Sequence, residues 1–221
     1  MRKNNFIYRP HRFQKPVRSF SFILILFYVF YGNAQNSIVK TIDSDSISNI
    51  EIDGNQIFNI SVTATKVDDI KMVSTLDGEY QNEFQVVDRI KNGVLHLKLE
   101  HLSFSDIADD KRNAHKVIAA TLQLEIPEGL SLNIASDIGS VDVEGDFKSI
   151  FIELQRGHCK IIGSATNAII NTIDGDINVF TVNAKVNASS NNGEVAIEDF
   201  EGNQSQWDLK SINGDITVGR E

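Results

Sequence analysis

The 221-residue sequence has few of the residues that cross-link a chain or break it sharply: one cysteine, three prolines and one tryptophan. The single cysteine, Cys159, excludes an intrachain disulfide and leaves either a reactive thiol or a small buried apolar side chain. The sequence also lacks a Ser/His/Asp arrangement, a phosphate-binding glycine loop and a CxxC pair. It therefore predicts no enzyme, no cofactor and no dedicated metal site.

Long apolar runs are scarce, and the main one lies near the N-terminus. Phe20 to Tyr31 is a run of 12 residues, shorter than the roughly 20 that a membrane-spanning helix needs. Six basic residues precede it, and Gly32-Asn33-Ala34 follows it with the small residues that a signal peptidase reads. Residues 1–34 are therefore predicted to be a cleaved signal peptide, with an uncleaved anchor as the alternative.

Basic residues are scarce in the remainder of the chain. Residues 1–34 hold six of the 21 Lys and Arg and none of the 30 Asp and Glu, so residues 35–221 keep 15 basic residues and a formal charge of −15. Binding to nucleic acid or to anionic lipid requires a basic surface. Both partners are therefore disfavoured, and export predicts a location in the periplasm or on the outer cell surface.

Short runs of alternating apolar and polar residues fill residues 36–134. The alternation is clearest from Ile57 to Thr65, and the runs are separated by Asx-Gly pairs at 53–54, 77–78 and 92–93. Such pairs supply the positive φ of tight hairpins, so the runs are predicted to be antiparallel neighbours. Residues 103–115 are polar and predict an exposed loop, either functional or mobile; the absence of aromatic and glycine anchors favours mobility.

A repeat dominates the chain from residue 135 onward. Five glycines recur at spacings of 18, 18, 18 and 21 residues, and each precedes an apolar pair two and four positions later: Gly139, Gly157, Gly175, Gly193 and Gly214. A second apolar pair follows about nine residues after the first. Because alternate residues of a strand share a face, each 18–21-residue coil is predicted to hold two strands with inward apolar pairs, stacked in parallel with glycine corners of positive φ.

Two unusual residues fall in the predicted inward columns. Cys159 takes the place that Val141 and Ile177 hold in neighbouring coils, which favours a buried thiol. Trp207 is predicted to be a core residue rather than a platform for sugar stacking. The last apolar pair, Ile216 and Val218, has no evident cap. The final coil is therefore predicted to expose its strand edges and to form a homo-oligomer or dock a partner.

The repeats also carry a family resemblance. The segment Ile126-Pro-Glu-Gly-Leu-Ser-Leu-Asn-Ile-Ala-Ser-Asp-Ile-Gly-Ser-Val-Asp-Val-Glu-Gly145, with the later Gly-Asp-Ile and Gly-Glu-Val coils, resembles the bacterial putative-adhesin domains, the auto-transporter adhesin head-like or GIN-type domains of unknown function. The resemblance spans roughly residues 36–221. It implies an exported, right-handed β-helical envelope protein without catalytic residues.

The combined prediction is a single all-β domain over residues 35–221. N-terminal β strands over 35–134 continue into a short parallel β-solenoid over 135–221. Its predicted function is a non-catalytic envelope or surface module that binds an envelope protein or a glycan through a sheet face. A polysaccharide-active β-helix enzyme and a periplasmic structural or sensor scaffold are the alternatives.

Acidic residues at the corners are the main candidates for chemistry. When stacked, they could supply oxygen ligands for Ca²⁺ or satisfy the backbone of the turns; they are Asp174, Asp176, Glu194 and Asp215. The second corner of each coil lacks the Gly-Gly-x-Gly-x-Asp pattern of a calcium-binding β-roll, which favours turn chemistry.

An enzyme of this fold would need clustered carboxylates with a basic partner on one exterior sheet. Asp142 and Glu153 are the candidate carboxylates, and Arg156 beside His158 is the nearest basic pair. A solvated corner explains that pair more simply. His96 and His101 lie five residues apart, so a strand would point them to opposite faces, which disfavours a shared metal.

Overall fold

A computed structural model describes residues 36–78, 82–102, 119–200, 202 and 204–221. All the regular structure in these ranges is β-strand, which confirms the predicted all-β class. The predicted signal peptide over 1–34 and the predicted loop over 103–115 lie outside the described residues and stay predictions, as does the division into domains.

Fifteen strands are formed by the described residues. The first seven are β1 (Asn36–Asp43), β2 (Asn49–Asp53), β3 (Ile57–Thr65), β4 (Asp69–Asp77), β5 (Phe84–Lys91), β6 (Val94–His101) and β7 (Ala119–Pro127). The other eight are β8 (Ser131–Ile138), β9 (Ser140–Arg156), β10 (Cys159–Asp174), β11 (Ile177–Thr181), β12 (Ala184–Ser190), β13 (Val195–Ile197), β14 (Ser205–Ser211) and β15 (Ile216–Arg220).

Hydrogen bonding arranges the strands in two rows. The first row has the order β1-β4-β7-β3-β9-β10-β11-β15-β13, and the second has the order β5-β6-β2-β8-β9-β10-β14-β12. The long strands β9 and β10 belong to both, since their first halves lie in the first row and their second halves in the second. Inward side chains of both rows form one buried apolar cluster.

The predicted 18-residue offset is present where β9 and β10 pair. These strands run parallel and in register, with Val141 opposite Cys159 and Ile152 opposite Ile170. Parallel in-register pairing stacks equivalent side chains on the same face, so inward columns continue from one repeat to the next. Both predictions about unusual residues are confirmed, because Cys159 and Trp207 are fully buried in these columns.

The glycine corners stack directly on one another, although their conformation is not the predicted one. A Cβ placed on Gly157 would overlap the carbonyl oxygen of Gly139, and the same holds for Gly175 on Gly157 and for Gly214 on Gly175. Only Gly157 of the five has a positive φ. At the other four corners, glycine is required by the close approach of two backbones rather than by a left-handed turn.

The order of the last two repeats differs from the prediction. β15 lies between β11 and β13, and β14 lies between β10 and β12. The final repeat is therefore inserted inside the stack, and the prediction that its edges are exposed is wrong: Ile216 and Val218 are 0% and 1% exposed. Val195 and Ile197, which were predicted to point into a covered interior, are 41% and 43% exposed instead.

Side-chain size explains this order. Insertion buries Trp207 and Leu209 completely and leaves the smaller Val186 and Ala188 only partly covered at the end of the second row. Full burial of a large apolar side chain contributes about 1.5–3 kcal/mol, so the stack is more stable with the larger side chains inside. The sequence signal for this is the spacing of 21 residues before Gly214, which adds chain between β13 and β14.

Before residue 134, each of three Asx-Gly pairs was predicted to join two antiparallel strands, and only one of them does. β5 and β6 form an antiparallel hairpin in which Asn92 and Gly93 have φ values of 53° and 78°, as in a two-residue type I′ turn. By contrast, β2 and β3 do not pair: each runs parallel to strands of its own row. Gly54 lies at a corner between the rows, where its N–H donates to the Ala135 carbonyl at 2.7 Å. β4 pairs with β1 and β7 rather than β5.

The stacked corners predict a large effect of a side chain at Gly175. Replacement by valine should lower the free energy of unfolding by about 1–3 kcal/mol or more, because the new Cβ would overlap the Gly157 backbone. Asn178→Val, three residues along on the outward face of β11, should change it by less than about 0.5 kcal/mol. Urea unfolding followed by circular dichroism measures both, and equal effects would contradict the corner argument.

Burial of the single thiol gives a second prediction. Burial raises the pKa of Cys159, and the negative charge of Asp142 adds a smaller contribution in the same direction. Thiolate, the reactive form, is therefore scarce in the native protein at pH 8. A maleimide or disulfide reagent should label the thiol slowly in buffer and rapidly in urea. Rapid stoichiometric labelling of the native protein would show that this repeat opens readily.

Candidate functional site

An open groove of about 570 Å³ lies on the outer face of the second row. It crosses the C-terminal ends of five neighbouring strands: β8, β9, β10, β14 and β12. Because those strands are parallel, each strand contributes the same two or three positions. The groove is thus a product of the repeat, with residues equivalent in register lined up across it.

After Ala135, the first outward column of the groove is polar and carries both charges. Glu153 lies opposite Asn171, Asn171 opposite Lys210, and Lys210 opposite Ser189. Strand spacing places such neighbours roughly 4.8 Å apart. From strand to strand, this column therefore presents a carboxylate, an amide, an ammonium group and a hydroxyl, one after another.

The second outward column joins polar groups to exposed apolar ones. Gln155 Nε2 donates to Asp137 Oδ1 at 2.6 Å, which fixes both side chains at one end of the groove. Ile173 and Ile212 come next and remain 47% and 41% exposed. Such apolar side chains in a polar groove can contact the carbon faces of a ligand while the flanking groups bind its hydroxyls.

A second depression of about 480 Å³ continues the surface across the same row. It shares Asn55 and Ala135 with the groove, and Phe151 adds an aromatic ring that is 36% exposed. The two depressions together extend the accessible surface along the row. The shape suits a long, thin ligand better than a compact one.

Asp208 lies on the outward face of β14 beside the groove. Asn187 Nδ2 donates to its Oδ1 at 3.0 Å and Gln206 Nε2 to its Oδ2 at 3.2 Å. These two hydrogen bonds, with a smaller contribution from the Lys210 charge, lower the pKa of Asp208. Its carboxylate is therefore held ionised and oriented on this surface.

The acidic corner residues serve the backbone of the stack. Asp176 Oδ1 accepts the Asp215 N–H at 2.9 Å, and Asp215 Oδ1 accepts the Glu194 N–H at 2.8 Å. Asn213 Nδ2 donates to Asp174 Oδ1 at 3.3 Å. These three carboxylates thus each accept a hydrogen bond from a neighbouring layer of the stack, and two of them, those of Asp176 and Asp215, bind backbone N–H groups of its corner. In the part of the chain that the structure describes, no three His, Cys, Asp or Glu side chains cluster as metal ligands.

The two candidate catalytic carboxylates are not brought together. Asp142 lies in the first row between Ser61 and Lys160, whereas Glu153 lies in the second row between Ala135 and Asn171. Acid–base catalysis needs both groups within reach of one bond, so this pair cannot supply it.

The basic pair and the histidines are also separated. Arg156 reaches Asp174 at 3.9 Å, and His158 Nδ1 lies 2.8 Å from Ser140 Oγ, so both belong to corner contacts. His96 is 3.5 Å from Glu51, and His101 stacks edge-on against Phe84 with ring centroids 5.0 Å apart. As predicted from their odd spacing, the two histidines have different neighbours.

Sequence analysis missed most of the groove, because outward residues follow no pattern of type. Of its charged residues, only Glu153 was singled out beforehand; Asp137 and Lys210 were not. The available signal was the repeat itself: once residues 153, 171 and 210 are known to be equivalent by register, their side chains must adjoin.

Comparisons with known proteins bear on the fold. No protein-family model matches the sequence, and no curated protein matches it. Among solved structures, a putative cell adhesion protein from Clostridium sporogenes has a TM-score of 0.59 at 10% identity, covering 85% of this chain and 100% of that one.

Two further solved structures share less of the geometry. A putative adhesin from Bacteroides fragilis has a TM-score of 0.35 at 14% identity, covering 84% of this chain and 97% of that one. A putative lipid binding protein from Parabacteroides distasonis has a TM-score of 0.30 at 12% identity, covering 86% and 98%. No helix among the described residues is long and apolar enough to cross a membrane. The TM-score of 0.59 shows that the chain shares its fold with the Clostridium protein.

Proposed function

We propose that residues 35–221 form an exported, non-catalytic envelope or cell-surface module of the adhesin-like kind, which binds an extended glycan along the groove of the second row. The observation that carries the proposal is the groove itself, in which five parallel strands present carboxylate, amide, hydroxyl and apolar groups in line.

The architecture behind this proposal is a short parallel β-solenoid. Its support is the register: paired strands are 18 residues apart between β9 and β10, 21 apart between β12 and β14, and 39 apart between β10 and β14, where the last repeat is inserted. Offsets of one or two repeat lengths are typical of coils that each return to the same row. The right-handed sense is taken from the family resemblance alone.

Export rests on the sequence of residues 1–34 and on the acidic remainder. A basic segment, an apolar run and a small-residue site together resemble a secretory signal. The formal charge of −15 on residues 35–221 opposes binding to polyanions but leaves neutral glycans as ligands. A location in the periplasm or on the outer surface follows from this part of the proposal.

The groove chemistry favours a glycan over a compact metabolite. Planar amide and carboxylate groups such as Asn171 and Glu153 can each bind two neighbouring hydroxyls, and Ile173 and Ile212 can contact the C–H face of a sugar ring. Repeated spacing across the strands matches a polymer with a repeated unit.

The proposal predicts that Asn171→Ala weakens glycan binding by about tenfold, since removal of one well-placed amide costs about 1.4 kcal/mol. The matched control is Asn178→Ala, which removes the same side chain from an outward position in the first row. A glycan array finds the ligand, and calorimetry compares the variants.

Three outcomes would contradict the proposal. Equal losses in both asparagine variants would exclude the groove as the site. Release of shorter products from a polysaccharide panel would favour the enzyme alternative. Binding only to an envelope protein, with no glycan bound, would favour the scaffold alternative.

A further inference from the structure

Insertion of the final repeat leaves the preceding repeat at the end of the stack. Within the described residues, β12 pairs only with β14, and β13 pairs only with β15. Both are therefore edge strands with backbone N–H and C=O groups unpaired on one side. An edge of this kind is a ready template for another strand.

The apolar interior is open at the same place. Val195 and Ile197 lie in register with the buried Ile216 and Val218, so they continue the inward column of the first row. They nevertheless remain 41% and 43% exposed because none of the fifteen described strands covers them. Val186 and Ala188 of the second row are likewise only partly covered. The stack thus ends in a surface of exposed apolar side chains that lies between two unpaired strand edges.

We propose that this end is covered by the same end of a second copy of the chain, with β12 of each copy antiparallel to β13 of the other. The chain reverses direction between the rows, so β12 and β13 of one copy point in opposite directions. A twofold axis parallel to the strands keeps these directions but exchanges the rows, which places each β12 antiparallel to β13 of the other copy. The contact then forms twice and closes, as a symmetric dimer requires.

Charge and apolar patterns select this pairing. With Val186 opposite the second copy's Ile197, Ala188 falls opposite Val195. On the outer face, Lys185 then falls opposite Glu198, so that apolar side chains meet in the interior and opposite charges meet outside. Glu198 is already held at the edge, because its Oε2 accepts the Arg220 N–H at 3.0 Å.

The competing symmetric pairing is less favourable. If β13 lay antiparallel to the second copy's β13 around Ala196, Glu194 would fall opposite Glu198 on both sides of the axis. Like charges directly opposite each other destabilise an antiparallel pair. The position of Lys185 on β12 and of the acids around β13 therefore distinguishes the two arrangements.

Sedimentation velocity on protein purified after expression of the full chain tests the proposal. The expected result is a dimer whose dissociation constant rises about tenfold or more in Lys185→Glu, which sets two acids against each other. The double change Lys185→Glu with Glu198→Lys should restore the wild-type value. Lys160→Glu, a charge reversal on the outer face of the first row, is the matched control and should have no effect.

Engineered cysteines give a second, geometric test, since the native Cys159 is buried. Val186→Cys combined with Ile197→Cys should form a covalent dimer under mild oxidation, because directly opposed residues have Cβ atoms about 5 Å apart. Val195→Cys combined with Ile197→Cys should not, but would do so in the competing pairing.

The remaining outcomes are equally decisive. A monomer at every concentration, a dimer indifferent to Lys185→Glu, or an open polymer would each overturn the proposal. Circular dichroism and thermal melting of every variant confirm that the fold is intact, so that a loss of the dimer is not mistaken for unfolding.

Discussion

The close approach of successive backbones at the glycine corners is the constraint on which the rest of the structure depends. Where Gly157 lies over Gly139 and Gly175 over Gly157, no Cβ fits. The corners therefore lock the layers in register, and the register decides which side chains share a column. The buried apolar interior and the groove of the second row both follow from this alignment. Parallel stacking of this kind depends on each layer being covered by another.

Inward residues were predictable from the sequence, and outward ones were not. The alternation around Val141 and Ile177 sets which side faces the interior, because a shift of one residue would expose the whole set. Residues such as Asn171 and Lys210 obey no such rule, since water accepts almost any polar side chain. Their alignment into one groove emerges only when strands far apart in the sequence become neighbours.

Layer order was the part that periodicity could not determine. The apolar period is compatible both with repeats stacked in chain order and with a final repeat inserted one layer earlier, and the longer spacing before Gly214 allows the insertion without requiring it. Trp207 and Leu209 decide the outcome because they bury more apolar surface than Val186 and Ala188 would in the same layer. The same limitation affected the N-terminal strands, where Asp53-Gly54 has the composition of a hairpin turn but forms a corner between rows. A local turn signal does not distinguish a hairpin turn from a corner between rows, whereas the pairing of strands far apart in the sequence does.

Placement of β14 and β15 inside the stack also matters while the chain is being made. Residues 184–197 leave the ribosome, or a translocation channel, before residues 205–220 that must lie beneath them. Vectorial folding from the N-terminus therefore cannot finish the array one layer at a time. The outermost layer reaches its permanent position only after residues 205–220 have arrived, so a nascent molecule lacks this arrangement until that later segment has emerged.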